Sequence, residues 1–133
     1  MIINDVYDKM IKNINSRANM IGIMTRNMMV QRIQRGFDKD GQPFKDYTDK
    51  YKRFKAGSGR VISPVNLTFR FKMLRAISSK AIEGGFELFF SSYKEALKAQ
   101  GNIDKGRDFW GLTSREYDFV VDKFNKSIEE ALR

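Results

Sequence analysis

Apolar residues recur at helical spacing through the first third of the chain. Ile3, Tyr7, Met10, Ile14, Ala18, Ile21, Met24 and Met28 fall on one stripe of a 3.6-residue wheel. Asn4 or Asp5 suits the N-cap and Gly36 is a natural stop, so the pattern predicts a first helix ending near Arg35. Beyond Gly22 a second stripe appears, made of Ile23, Val30, Ile33 and, if the helix persists, Phe37. About 31 helical residues at ~1.5 Å each span ~47 Å. A compact globule of this size is only ~36 Å across. An unbroken helix therefore projects from its own domain or lies against something larger, and its doubly apolar half implies another chain as the second partner. Ile23, Val30, Ile33 and Phe37 are the predicted contacts between copies. The competing arrangement is a kink at Gly22 that folds two shorter helices into one core. The unbroken helix is favoured, because glycine inside a helix costs only ~1 kcal/mol.

Residues 37–45 read as a turn region, with Asp40-Gly41 and Pro43 as punctuation. Tyr47, Tyr51 and Phe54 are spaced as one face of a short helix ending at Ala56-Gly57, and Gly57-Ser58-Gly59-Arg60 follows as a connector. Val61 to Val65 suits a short extended piece limited by Pro64. Asn66 or Thr68 can cap a short helix to about Arg75, on which Leu67, Phe71 and Leu74 share a face. Leu67, Phe69, Phe71 and Met73 fit a strand period equally well.

Residues 76–91 are the clearest hairpin, with Gly84-Gly85 as its two-residue turn. Ile77, Ser79 and Ala81 then share a face with Phe86, Leu88 and Phe90, while Phe89 and Lys80 face the other way. Residues 92–100 predict a short helix with Tyr93 to Leu97 inward, stopped by Gly101. A polar loop over 101–106 and a third short strand near 107–110 follow. The last segment is the best marked. Thr113 and Glu116 form a capping box, and Tyr117, Val120, Val121, Phe124, Ile128, Ala131 and Leu132 give one apolar face. Phe109 and Trp110, the only tryptophan, stand just before the cap, so the loop that carries them is expected to be anchored. The expected fold is α+β, a single domain over 1–133, with a long N-terminal helix and a C-terminal helix packed on a small antiparallel sheet.

Composition narrows the chemistry. A chain of 133 residues can bury an ordinary core without metals or crosslinks. Zero cysteines and zero histidines remove disulfides, thiolate metal sites and the usual general base. Carboxylates are scattered: Glu129-Glu130 lie on the exposed side of the final helix, and Glu83 and Glu87 flank the hairpin turn. Asp38-Lys39-Asp40-Gly41 lacks the ligand spacing of a calcium loop. Gly57-Ser58-Gly59-Arg60 lacks the ending of a phosphate-binding loop. With no nucleophile beside a base, neither enzymatic activity nor a cofactor nor a metal is expected. Asp5 and Asp8 fall where a secretory signal would need basic or apolar residues. A soluble, unexported protein is the expectation.

Charge adds a candidate surface. The chain carries +9, and residues 45–80 hold ten Lys/Arg against Asp46 and Asp49, a net +8. Such a window favours a polyanion or an acidic protein surface. Lys50, Lys52, Arg53, Lys55 and Arg60 are the candidate contacts, interleaved with Tyr47, Tyr51 and Phe54. The plainer reading is that the aromatics are core and the charges are solvated.

The order of landmarks resembles a known family. A long first helix ends in Arg35-Gly36-Phe37-Asp38-Lys39-Asp40-Gly41-Gln42-Pro43-Phe44, followed by Lys45-Asp46-Tyr47-Thr48 and a lysine-rich segment. Then come Leu67-Thr68-Phe69-Arg70-Phe71-Lys72-Met73-Leu74-Arg75, a hairpin, and Arg107-Asp108-Phe109-Trp110-Gly111-Leu112-Thr113 before the terminal helix. This is similar to the virion morphogenesis family of tailed bacteriophages, the Mu-type G-like tail-completion and neck proteins. The likeness runs from about Arg26 onward, and the closing loop of Arg107, Phe109, Trp110, Gly111 and Leu112 is its most specific part. Phe69 or Arg70 stands where the family has glycine, and the stretch before Arg107 lacks the family's His-x-x-Gly. The resemblance implies a non-enzymatic structural protein that assembles as a ring at the head–tail junction. Its implied neighbours are identical subunits, the portal connector and the tail tube, with genomic DNA passing through the lumen. Its implied location is the virion, and the host cytoplasm during assembly. The resemblance further implies that Arg107 pairs with a carboxylate or a helix end to fix the closing loop, and that Phe109 and Trp110 pack under the first helix; the plainer reading of the two aromatics is as core residues. The alternative is a small basic nucleic-acid-binding protein that uses residues 45–80.

Overall fold

The computed structural model describes residues 3–44, 57 and 71–132. Helix α1 (Ile3–Gln34) runs unbroken for 32 residues, about 48 Å at the usual rise. Gly36 takes φ 93°. Its N–H donates to the Ile33 carbonyl at 3.0 Å, and the Phe37 N–H donates to the Arg32 carbonyl at 3.2 Å. This is a Schellman turn, which occupies carbonyls that the last helical turn leaves open and needs a residue without Cβ. No kink forms at Gly22. A Cβ there would stand 3.1 Å from the Phe86 side chain, so the bare backbone is what lets the hairpin approach the helix.

The rest of the described chain covers two sides of α1. Helix α2 (Phe71–Arg75) leads into an antiparallel pair, β1 (Ile77–Ile82) and β2 (Gly85–Phe90). The helical alternative is the one adopted over 71–75. Met73, Leu74 and Ile77 are all buried, and neighbours in sequence cannot both face inward from a strand with one buried face. In the hairpin, Ile77 pairs with Phe90, Ser79 with Leu88 and Ala81 with Phe86, so the expected residues share a face. The turn differs. Ile82 pairs with Gly85, leaving Glu83-Gly84 as the two turn residues, with Gly84 at φ 77°. A Gly84-Gly85 turn would have shifted every partner by two positions. Such a shift keeps each side chain on its own face, so the apolar pattern cannot detect it.

Helix α3 (Tyr93–Asp104) starts at the N-cap Ser92 and continues through Gly101, where a stop was expected. The stop is Gly106 at φ 88°, with Gly106 N–H on the Ile103 carbonyl at 2.9 Å and Arg107 N–H on the Asn102 carbonyl at 3.0 Å. The expected polar loop over 101–106 is therefore mostly helix. The inner face is also corrected: Tyr93 and Leu97 are exposed, while Glu95 and Ala99 are buried and Ile103 packs on the core. α3 lies against α2, and the small Ala99 on the 95–99–103 stripe permits that approach. No third strand forms over 107–110 among the described residues. Its carbonyls are already engaged, by Lys39 N–H at Asp108 and by Arg32 at Phe109.

Helix α4 (Ser114–Ala131) carries the expected capping box between Thr113 and Glu116. It runs antiparallel to α1, with Arg32 near its start and Asn13 donating to the Ser127 carbonyl at 3.2 Å near its end. Its apolar face is only partly covered: Val120, Phe124, Ile128 and Ala131 are half-buried, and Tyr117, Val121 and Leu132 are exposed. The architecture is α+β, a long N-terminal helix and a C-terminal helix with a two-stranded antiparallel sheet. Among the described residues, no helix is long and apolar enough to cross a membrane.

The core gathers around the C-terminal half of α1: Met29, Val30 and Ile33 meet Phe44, Met73, Leu74, Ile77, Ala99 and Phe109. This corrects the expected contacts between copies. Val30 and Ile33 are buried inside the chain's own core, because β1 packs along α1 and Met73, Leu74 and Ile77 join the same cluster. Ile23 and Phe37 remain on the surface, 46% and 38% exposed.

Candidate functional site

The closing loop is held by a side chain that sequence reasoning passed over, Arg32. It is 4% exposed. Its Nε donates to both Glu116 carboxylate oxygens, at 3.2 and 3.1 Å. Nη1 donates to the Phe37 carbonyl at 3.1 Å, and Nη2 to the carbonyls of Phe109 at 3.2 Å and Gly111 at 2.7 Å. Glu116 Oε1 also accepts from the Thr113 N–H at 3.0 Å, and Glu116 N–H donates to Thr113 Oγ1 at 3.1 Å. One guanidinium thus joins the end of α1, the turn after it, the closing loop and the cap of α4. Burying a charge is costly unless its hydrogens are used, and arginine's planar fork can serve a carboxylate and several carbonyls together. The available signal was position. Arg32 lies one turn beyond Met28, on the inward stripe of Ile14, Ile21 and Met28.

The family-motif residues divide around this clasp. Phe109 is fully buried, beneath α1 as expected. Trp110 is half-buried, its ring 4.8 Å from Phe90 and tilted by 30°. Gly111 supplies a carbonyl to Arg32, and Leu112 is half-buried. Arg107 donates to Asn102 Oδ1 at 3.4 Å, which ties the loop to the last turn of α3. Lys39 pairs with Asp108 at 3.0 Å, and that hydrogen-bonded carboxylate raises the lysine pKa above its usual value. The preceding turn is built on Asp38, whose Oδ1 accepts from the N–H groups of Asp40 and Gln42, both at 2.9 Å.

Two concavities adjoin this framework. A groove of about 670 Å³ lies beside the clasp, between the end of α1 and the start of α4; Met28, Phe37 and Phe119 give it an apolar lining, and Arg35 and Arg115 add charge. A cleft of about 460 Å³ lies where α2 meets the start of α3, lined by Lys72, Arg75, Ser92, Lys94, Glu95 and Lys98. The basic window is thereby extended by two lysines of α3 that sequence distance had separated from it. Lys50, Lys52, Arg53, Lys55 and Arg60, with the aromatics between them, lie outside the described residues. Among the described residues, no group of three or more acids could hold a metal ion.

No protein-family model, curated protein or solved structure matches this chain. What it does must be argued from its own residues.

The two ends of α1 differ in cover. At the C-terminal end the clasp and core enclose it. Toward the N-terminus the polar contacts among the described residues are Asn13 with Ser127, Asn15 Oδ1 accepting the Gly84 N–H at 3.0 Å, and the exposed ion pair of Arg17 with Glu130. Tyr7 lies about 12 Å beyond Asn15 along the axis and is 61% exposed. Met20 and Ile23 are also exposed on α1.

Proposed function

We propose that this chain is a structural subunit of a tailed-bacteriophage virion, a neck or tail-completion protein that assembles as a ring at the head–tail junction. The observation that carries the reading is the uncovered end of α1. An unbroken 32-residue helix continues past its hydrogen bonds and ion pair with the hairpin and α4, and presents Tyr7, 61% exposed. Exposed apolar surface of this kind is what a neighbouring subunit covers in an assembled ring. The order of landmarks and the Arg107–Thr113 closing loop support the family in which the ring is placed. In this reading the chain performs no chemistry; identical subunits, the portal side and the tail-tube side are its partners, and DNA passes through the lumen.

The test is assembly. Light scattering of the purified chain, alone and with portal or tail-tube protein, should give a closed ring-sized species in at least one mixture. Tailless particles lacking this protein should be completed when it is added back. A chain that stays monomeric in every mixture and completes no particle sinks the reading.

A further inference from the structure

We propose that neighbouring copies of this chain meet head to tail: the N-terminal tip of α1 in one copy docks in the groove between the end of α1 and the start of α4 in the next. This contact rests on the ring reading above and names the surfaces that would join its subunits.

The groove asks for an apolar, acidic occupant. Met28, Phe37 and Phe119 line it, and the Phe37 ring is left exposed. Of the charges in its lining, Arg32 and Glu116 satisfy each other. Arg35 and Arg115 are both exposed, and neither has an ion-pair partner among the described residues. The lining is therefore net positive. Its volume of about 670 Å³ is in the range that encloses a drug-sized molecule, so an aromatic side chain with part of its helical turn fits.

The tip of α1 has that chemistry. Residues 3–8 carry Asp5 and Asp8 and no base; Lys9 and Lys12 come after them. Both aspartates are exposed, and so is Tyr7 between them. A helix tip with an open aromatic ring and two carboxylates complements a groove of phenylalanines and arginines in both shape class and charge. The tip cannot enter its own groove, because Tyr7 lies about 32 Å from Met28 along the unbroken helix. The occupant therefore comes from another copy. Two other tyrosines are exposed among the described residues, Tyr93 and Tyr117. Tyr93 adjoins Lys94 and would bring like charge to the arginines. Tyr117 lies on α4 itself, the helix that lines the groove, and would enter a neighbour's groove only by two-fold pairing, which stops at a dimer. A groove at one end of the rod and its occupant at the other repeat from copy to copy, and such a contact closes into a ring when its rotation permits.

The test is a charge swap on the full chain, read by light scattering in the mixture that gives the ring-sized species. Asp8→Arg and Arg115→Asp, both at exposed positions, should each raise the concentration needed for assembly by roughly tenfold or more without shifting the monomer's melting midpoint. Mixed in equal amounts, the two variants should assemble again, because each tip then meets a groove of opposite sign on the other variant. The double variant should assemble by itself for the same reason. Tyr7→Ala should weaken assembly by roughly tenfold, and Tyr117→Ala should leave it unchanged. Single variants that assemble like wild type overturn the contact, as does a mixture that stays dissociated; both results leave the ring reading standing. Sensitivity to Tyr117→Ala with none to Tyr7→Ala overturns it in favour of two-fold pairing. A wild-type chain that is monomeric in every mixture overturns the contact and the ring reading together.

Discussion

The two ends of α1 carry the same kind of sequence and meet opposite fates. Ile14, Met10 and Tyr7 continue the stripe of Ile21 and Met28. At the C-terminal end Met29 and Ile33 are 1% and 0% exposed, and even a charged residue, Arg32, is enclosed. At the N-terminal end Tyr7 stands in solvent, and the charge pairing there is Arg17 with Glu130, each side chain 42% exposed. The periodicity is alike; the number of segments that come back over each end is not. Polar contacts therefore mean different things at the two ends. A buried arginine with its donors used costs much to remove, whereas an exposed pair contributes little.

The largest effect should come from Arg32→Met. It strands the Glu116 carboxylate and removes the donor from three carbonyls, so stability should fall by about 3–5 kcal/mol in urea unfolding. Adding Glu116→Met should recover about half of that loss, since the orphaned charge goes with it. If the single variant melts like wild type, the clasp is not what secures the closing loop. Trp110→Ala should come next, at about 2 kcal/mol, because its ring is only half-buried against Phe90. An unchanged urea midpoint would remove the loop's role as a packed anchor.

Gly22→Leu probes the middle of α1. Its side chain must displace Phe86, which stacks on Phe124 with centroids 6.2 Å apart. Overpacking there should cost about 1–3 kcal/mol despite the gain in helix propensity. A stabilised variant would show that the hairpin does not need the bare backbone.

Arg17→Ala, at the open end, should change stability by no more than about 0.5 kcal/mol. A loss as large as that of the Arg32 variant would erase the contrast between the ends. Lys39 gives a pH-dependent check. Asp108 raises its pKa in the folded protein, so the pair's contribution is complete below the usual pKa of 10.5 and fades as pH rises through the raised value. Lys39→Gln should flatten that alkaline limb in urea midpoints taken across the range.

Local signals in the sequence were read well where a few adjacent residues decide the outcome. The continuous first helix with its end at Gly36, the Thr113–Glu116 capping box and the faces of the hairpin all follow from short-range chemistry. The stop of α3 falls at Gly106 and not at Gly101; both are glycine, and only the fold shows which of them takes the positive φ that ends the helix. The hairpin turn was beyond the pattern, because a two-residue slip leaves every face unchanged.

By itself, the order of residues determined the α+β class, the long opening rod, the capped closing helix and a cationic character without histidine or cysteine chemistry. Only the tertiary structure decided which stripe of α1 is core and which is surface. It turned Val30 and Ile33 inward, left Tyr7 uncovered, enclosed Arg32 against Glu116, and brought Lys94 and Glu95 beside Lys72. The reason is that periodicity specifies where a side chain points on its own element, while burial depends on which distant segment folds back to meet it.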